Sequence, residues 1–175
     1  MKQCNKYLMI IFTFNLLFGV DKAGTTAAKF LSIGVGSKAV GMGGSYTSIA
    51  DDATAMYWNP AGLSFHQTKE VYFNHSNWIA DISFDYSGIT IPIDNKSSLG
   101  FNITSVTMDE MEVTRYGNEN TGETFSAADF AFGSTYSMSL TDRFSVGING
   151  KYIQQSISNS HARGFALDLG TLFDT

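Results

Sequence analysis

Cysteine is almost absent. The one cysteine, Cys4, excludes a disulfide framework and a cysteine-built metal cluster. It lies upstream of the first apolar run, where a lipid-anchoring cysteine would follow such a run. Proline is scarce, at 2 in 175 residues. Charged residues make up 15%, against roughly 25% in soluble domains. The net charge is −5 and no run of Lys or Arg stands out. The electrostatic footprint of a nucleic-acid binder is therefore missing, and no nucleic-acid partner is expected. After residue 20 no stretch approaches the ~20 apolar residues that a membrane helix needs. If this protein lives in a membrane, it does so as strands. His66, His75 and His161 are far apart in sequence, with no HExxH spacing and no marked serine partner. No catalytic, cofactor-binding or metal-binding residue is assigned, and no cofactor is expected.

What is present falls into three parts. Lys2 and Lys6 precede an apolar run over residues 7–20, broken only by Thr13 and Asn15. That is the layout of a secretory signal peptide, here taken as residues 1–22. Residues 23–69 are rich in Gly and Ala and show no sustained alternation. Asp51 and Asp52 are placed to cap a short helix over residues 53–57, because carboxylates accept from the free amides of a helix start. Asn59 followed by Pro60 reads as a second start, with Pro tolerated where the amide has no partner. Gly62 is expected to stop that helix. Gly34, Gly36 and Ala39 match the dinucleotide pattern G-x-G-x-x-G/A. Gly41, Gly43 and Gly44 would interrupt the helix that the pattern requires, so the bland reading is preferred: glycines for turns and close packing.

From residue 70 to 175 the chain alternates with period two, the mark of strands with two different faces. Six segments qualify. The first, near residues 71–78, is the least regular. The next five set Ile82, Phe84 and Tyr86 against Asp85; Leu99, Phe101 and Ile103 against Asn102; Phe130 and Phe132 against Asp129; Phe144, Val146 and Ile148 against Asn149; and Phe165, Leu167 and Leu169 against Asp168. The large apolar rows are expected to face lipid. The Gly, Ser and acid rows, with Asp85, Asn102, Asp129, Asn149 and Asp168, are expected to face a lumen. Tyr72, Trp78 and Tyr152 are candidates for a membrane interface. Residues 92–97 and 139–143 read as short turns. Residues 107–124 form a long acidic loop with Asp109, Glu110 and Glu112, and residues 156–161 a shorter one on the same side. Short turns at one end and longer loops at the other are the pattern of bacterial outer-membrane barrels. The expected fold class is all-β: a transmembrane antiparallel β-barrel preceded by a short helical or irregular segment. Single-chain barrels start at eight strands, so the six found here are expected to be the N-terminal part of a longer barrel, a fragment.

Residues 23–63 resemble the N-terminal region of the PorV/PorQ family, relatives of the FadL-type outer-membrane transporters. The likeness is carried by Ala39-Val40-Gly41-Met42-Gly43-Gly44, by Ala50-Asp51-Asp52-Ala53-Thr54-Ala55 and by Trp58-Asn59-Pro60-Ala61-Gly62-Leu63. The resemblance implies a FadL-like barrel in the bacterial outer membrane whose N-terminal segment acts as a plug. Gly41, Gly43, Gly44, Asp51, Asp52, Asn59, Pro60 and Gly62 would then have structural or gating roles. It also implies a non-catalytic part in type IX secretion, with outer-membrane lipid and secreted cargo or secretion-system subunits as partners. The wider FadL group supplies the alternative, passive transport of fatty acids or other hydrophobic small molecules.

Overall fold

The computed structural model describes residues 27–117 and 121–174. The expected signal peptide, with Cys4, lies outside the described residues. Six long strands form one antiparallel sheet in the order β1-β2-β3-β6-β7-β8. They are β1 (Glu70–Asn77), β2 (Ile82–Pro92), β3 (Ser97–Met108), β6 (Ala127–Ser139), β7 (Phe144–Ile157) and β8 (Ser160–Phe173). A small ribbon, β4 (Met111–Glu112) with β5 (Thr124–Phe125), stands in the long β3–β6 connection. Each main strand pairs with its sequence neighbour apart from that insertion, so the sheet is an up-and-down meander. β1 and β8 are its edges and do not pair with each other. No helix among the described residues is long and apolar enough to cross a membrane.

The connections at one end are tight. Asp94 Oδ1 accepts from the amides of Lys96 and Ser97 at 2.8 and 2.7 Å, and Thr141 Oγ1 accepts from the Phe144 amide at 3.0 Å. At the other end the β3–β6 connection is long, as expected. The β7–β8 connection is shorter than the loop expected over residues 156–161. β7 and β8 pair as far as Ile157 and Ser160, and Ser158 turns the chain with φ 51°.

One face of the sheet is covered by the N-terminal segment and the other is open. The covered face carries polar and small residues in straight cross-strand rows. One row runs Glu70, Thr90, Gly100, Thr135, Asn149, Asp168; a second runs Tyr72, Gly88, Asn102, Gly133, Lys151, Ala166; a third runs Pro92, Ser98, Ser137, Gly147, Gly170. The open face carries Val71, Phe73, Ile89, Phe101, Ile103, Phe132, Phe165, Leu167 and Leu169, the last 76% exposed. The alternation of β2 is assigned here to the opposite face from the one expected. Phe84 and Tyr86 are buried against Val35 of the N-terminal segment, so Asp85 points to the open face. Period two fixes which residues share a face but not which face is covered.

The N-terminal segment is a string of short turns. A five-residue helix, Ser37–Gly41, ends at Met42. The Gly44 amide then donates to Ala39 O and the Gly43 amide to Val40 O, both at 2.9 Å, and Gly43 has φ 65°. This is a Schellman stop, in which glycine takes the left-handed position at no steric cost. A helical turn follows at Ala55–Trp58, and a 3-10 turn at Pro60–Ser64. The 3-10 turn lies across β3, β6, β7 and β8. Its closeness depends on bare backbone. A Cβ at Gly147 would overlap the Pro60 carbonyl carbon and the Ala61 amide, and one at Gly170 would overlap Asn59 Oδ1. Gly147→Val or Gly170→Val should therefore unseat the segment, at a cost of about 1–3 kcal/mol. Gly150→Val and Gly164→Val meet open space and should be neutral there. Protease protection of residues 50–64 would separate the two pairs.

Candidate functional site

The seat is centred on Asn59. Its backbone is extended, and its side-chain Oδ1 accepts from the Ala61 amide at 3.1 Å, with Pro60 at the first position of the turn. Its Nδ2 donates to Thr47 O at 2.9 Å and to Thr171 O at 3.1 Å. One buried amide thus starts a turn, ties down the preceding loop and grips the edge strand β8. Next to it, the hydroxyls of Ser64, Ser137 and Ser145 converge on the Ala61 carbonyl at 3.0, 3.0 and 2.9 Å. The Ser64 amide donates to Ser137 Oγ at 3.1 Å. Further along, Asn149 Nδ2 donates to Met56 O at 2.9 Å.

Gly62 does not stop the turn as expected. It sits inside Pro60–Ser64, and a Cβ there would overlap the Ala50 carbonyl oxygen. Its role is close approach, not a helix end.

The two aspartates separate. Asp52 Oδ1 accepts from the Thr54 amide at 2.8 Å and from Thr54 Oγ1 at 2.5 Å, which organises the chain just ahead of the turn Ala55–Trp58. Asp51 does not cap. Its Oδ1 accepts from Lys38 Nζ and from the Tyr46 hydroxyl, both at 2.8 Å. The Ala53 amide is held instead by Glu70 Oε2 at 2.9 Å, and Glu70 also meets His66 Nε2 at 3.0 Å. Hydrogen bonds from Lys38 and Tyr46 hold the Asp51 carboxyl below its ordinary range. The same bond to Asp51 holds the Lys38 ammonium above its ordinary value. Burial, with the Asp51 bond, pushes the Tyr46 phenol up to about 12.

The structure places the predicted polar residues as follows. Asn102, Asp129, Asn149 and Asp168 lie on the covered face, and Asp85 on the open one. Asp168 pairs with Lys151 at 2.6 Å, and the Lys151 ammonium lies 5.9 Å from the centre of the Tyr57 ring. Asp129 accepts from Gln155 at 3.1 Å, and Asp85 pairs with His75 at 2.6 Å. Gly41 and Gly43 face open space, and Gly44 lies against Trp58. Tyr72 is also on the covered face, packed on Tyr86 with ring centres 6.2 Å apart. Tyr152 is on the open face beside Phe165, at 5.5 Å.

The three histidines do not meet. His161 bonds Ser156 Oγ at 2.9 Å on the exposed β7–β8 turn. Among the described residues no cluster of His, Cys, Asp and Glu could hold a metal. Before Gly34 comes a 3-10 turn, Lys29–Ser32, and not a strand, so the dinucleotide pattern has no βαβ unit around it.

Of the three PorV/PorQ-like stretches, the one over residues 58–63 holds the seated turn. A family model described as type IX secretion system protein PorV matches residues 20–172. The chain belongs to the PorV family. No curated protein matches it. The match to PorV extends through all six main strands, beyond the residues that carried the sequence likeness. Sequence reading missed Ser64, Ser137, Ser145, Gly147 and Gly170 as seat residues of this PorV-family chain. The available signal was small residues spaced by two on β6, β7 and β8, but only the register shows that they meet one turn.

Asn59→Ala would leave the buried Ala61 amide unpaired, at about 1–3 kcal/mol, and release the exposed Thr47 and Thr171 residues from the turn. Faster hydrogen exchange at the Ala61 amide would report it. Lys38→Met should cost far less, about 0–1 kcal/mol, because the Lys38–Asp51 pair is more than half exposed and screened. The lowered Asp51 contributes above its unfolded value near 3.8 and loses that contribution as pH falls through its folded value. The raised Lys38 contributes below its unfolded value near 10.5 and loses it as pH rises through its folded value. The tether should therefore be intact throughout the neutral range and weaken at either extreme. Lys38→Met removes the alkaline arm of this dependence and reduces the acid arm, which the Tyr46 hydroxyl still supports.

Proposed function

We propose that this chain builds one wall and the plug of a bacterial outer-membrane β-barrel that serves type IX secretion by binding protein partners and not by catalysis. Residues 1–22 would direct export, residues 23–69 would form the plug, and residues 70–175 would supply wall strands. The observation that carries the proposal is the PorV match on a sheet whose uncovered face carries a broad band of exposed large apolar side chains. Exposed rings and aliphatic chains massed in such a band are a liability in water and are what a lipid-facing wall presents. β2, β3, β6, β7 and β8 have 11–14 residues, long enough for a tilted crossing that needs about 9–11. Hydrocarbon does not tolerate open sheet edges, so such a barrel requires further strands to join β8 back to β1.

In this reading Asn102, Asp129, Asn149 and Asp168 line the lumen. Asn59, Pro60 and Gly62 fix the plug, and Asp51 and Asp52 shape the chain leading into it. The partners are outer-membrane lipid together with secreted cargo or secretion-system subunits, and no cofactor is invoked. A FadL-like passage for hydrophobic solutes has less support, because the rows under the plug are mostly polar.

Two measurements test the proposal on the protein in its native membrane. It should fractionate with the outer membrane and show heat-dependent gel mobility. Capture from solubilised membranes should bring down type IX secretion components or their cargo. Fractionation with the cytosol, or repeated capture without any such protein, would overturn it.

A further inference from the structure

Met56 packs in a cluster with Ala53 and Leu63 of its own segment and Tyr72 of β1, and lies over polar and bare backbone positions of the sheet. It is wholly buried and runs above two glycines of the sheet. Its Sδ and Cγ crowd the position a Cβ would take on Gly100, and its Cε lies 2.6 Å from the equivalent position on Gly88. Thr90 and Thr135 flank Gly100 in the same cross-strand row. Asn102 lies one row away, next to Gly88. Thr90 Oγ1, Thr135 Oγ1 and Asn102 Nδ2 are buried without a hydrogen-bond partner, as is Oδ1 of Asn149, the row neighbour of Thr135. Four stranded polar atoms surround one seat, and each costs free energy that water would restore. A face made only to hold Met56 would need no hydroxyls. Valine matches threonine in size without one.

The same face is well bonded a few residues away, where Asn59 and the Ala61 carbonyl are held by several groups. The seat is thus fully bonded at Asn59–Ala61. Beneath the Met56 side chain the sheet's hydroxyls are left without partners, although the Met56 carbonyl is bonded by Asn149. Its rows are continuous and polar from Glu70 to Asp168, a surface suited to water.

On this basis, and resting on the barrel reading above, we propose that the rows beneath Met56 form a hydrophilic conduit for water and small ions, closed while residues 50–64 are seated. Opening solvates the stranded hydroxyls and amides, which offsets part of the cost of lifting the segment. The solute class is small and hydrophilic, in contrast to a hydrophobic passage.

The test uses the full-length protein from outer membranes, in a Cys4→Ser background with Ala55→Cys as a reporter of the seat. Labelling of that cysteine by a charged maleimide reports lifting, KCl conductance in planar bilayers reports the conduit, and heat-dependent gel mobility reports the barrel. Thr90→Val with Thr135→Val removes two stranded hydroxyls and should slow labelling and reduce openings by about tenfold or more. Gly147→Val blocks the seat and should raise both labelling and conductance. Unchanged labelling in the double valine variant would overturn the proposal, even if Gly147→Val does not assemble. Rapid labelling without KCl conductance, in a protein that still shows barrel mobility, would overturn the conduit while leaving the barrel standing. Loss of barrel mobility in the unsubstituted protein would instead remove the barrel reading on which the conduit rests.

Discussion

The grip of Asn59 on its surroundings is the constraint on which the rest of the structure depends. One carboxamide serves three backbone groups from separate parts of the chain: the Thr47 carbonyl, the Ala61 amide and the Thr171 carbonyl. A buried amide is costly unless its donors and acceptors are met, and here they are met only if loop, turn and edge strand arrive together. Pro60 supports this by fixing the start of the turn without needing an amide partner. Gly62, Gly147 and Gly170 support it by omission, since a side chain at any of them would occupy space that backbone already fills.

Around that anchor, the two faces of the sheet follow different rules. The covered face is held to the N-terminal segment by specific hydrogen bonds around Asn59 and Ala61. Its apolar contacts are small and scattered, as with Val35 on Phe84 and Tyr86 or Phe30 beside Ala131 and Ile153. The open face is dominated by large apolar side chains, with polar residues such as the His75–Asp85 pair toward the end that carries the long β3–β6 connection. A soluble two-layer fold would place its large side chains between the layers. Here most of them point away from the layer that is present, Phe84 and Tyr86 excepted. Polar seat and apolar exterior are consistent with membership of the PorV family.

Much of this was legible in advance, because it depends on local chemistry. The six strands follow from period two, since a pleated strand turns successive side chains to opposite faces. The meander follows from short polar turns between long strands. The Asn59–Pro60 start follows from capping chemistry, which acts over two residues. The family likeness was legible because its motif residues lie within one contiguous stretch, residues 39–63.

Other features depend on which segments meet, and no local rule supplies that. Asp85 was expected beside Asp129 and Asp168, but β2 turns Phe84 and Tyr86 toward the covering segment to receive Val35. Asp51 was expected to cap a helix, but the fold brings Lys38 and Tyr46 to it. Gly62 was expected to end a turn, but the approach of Ala50 gives it a different task. Ser137, Ser145, Gly147 and Gly170 look like ordinary small residues until register lines them up beneath one turn. By itself the sequence determined the strands, their two faces and the chemistry of the turn starts, because these act between near neighbours. Only the tertiary structure decided which face is covered and which small residues form the seat, because both depend on contacts between residues some 70 to 110 positions apart, as with Ser64 and Ser137 or Asn59 and Thr171.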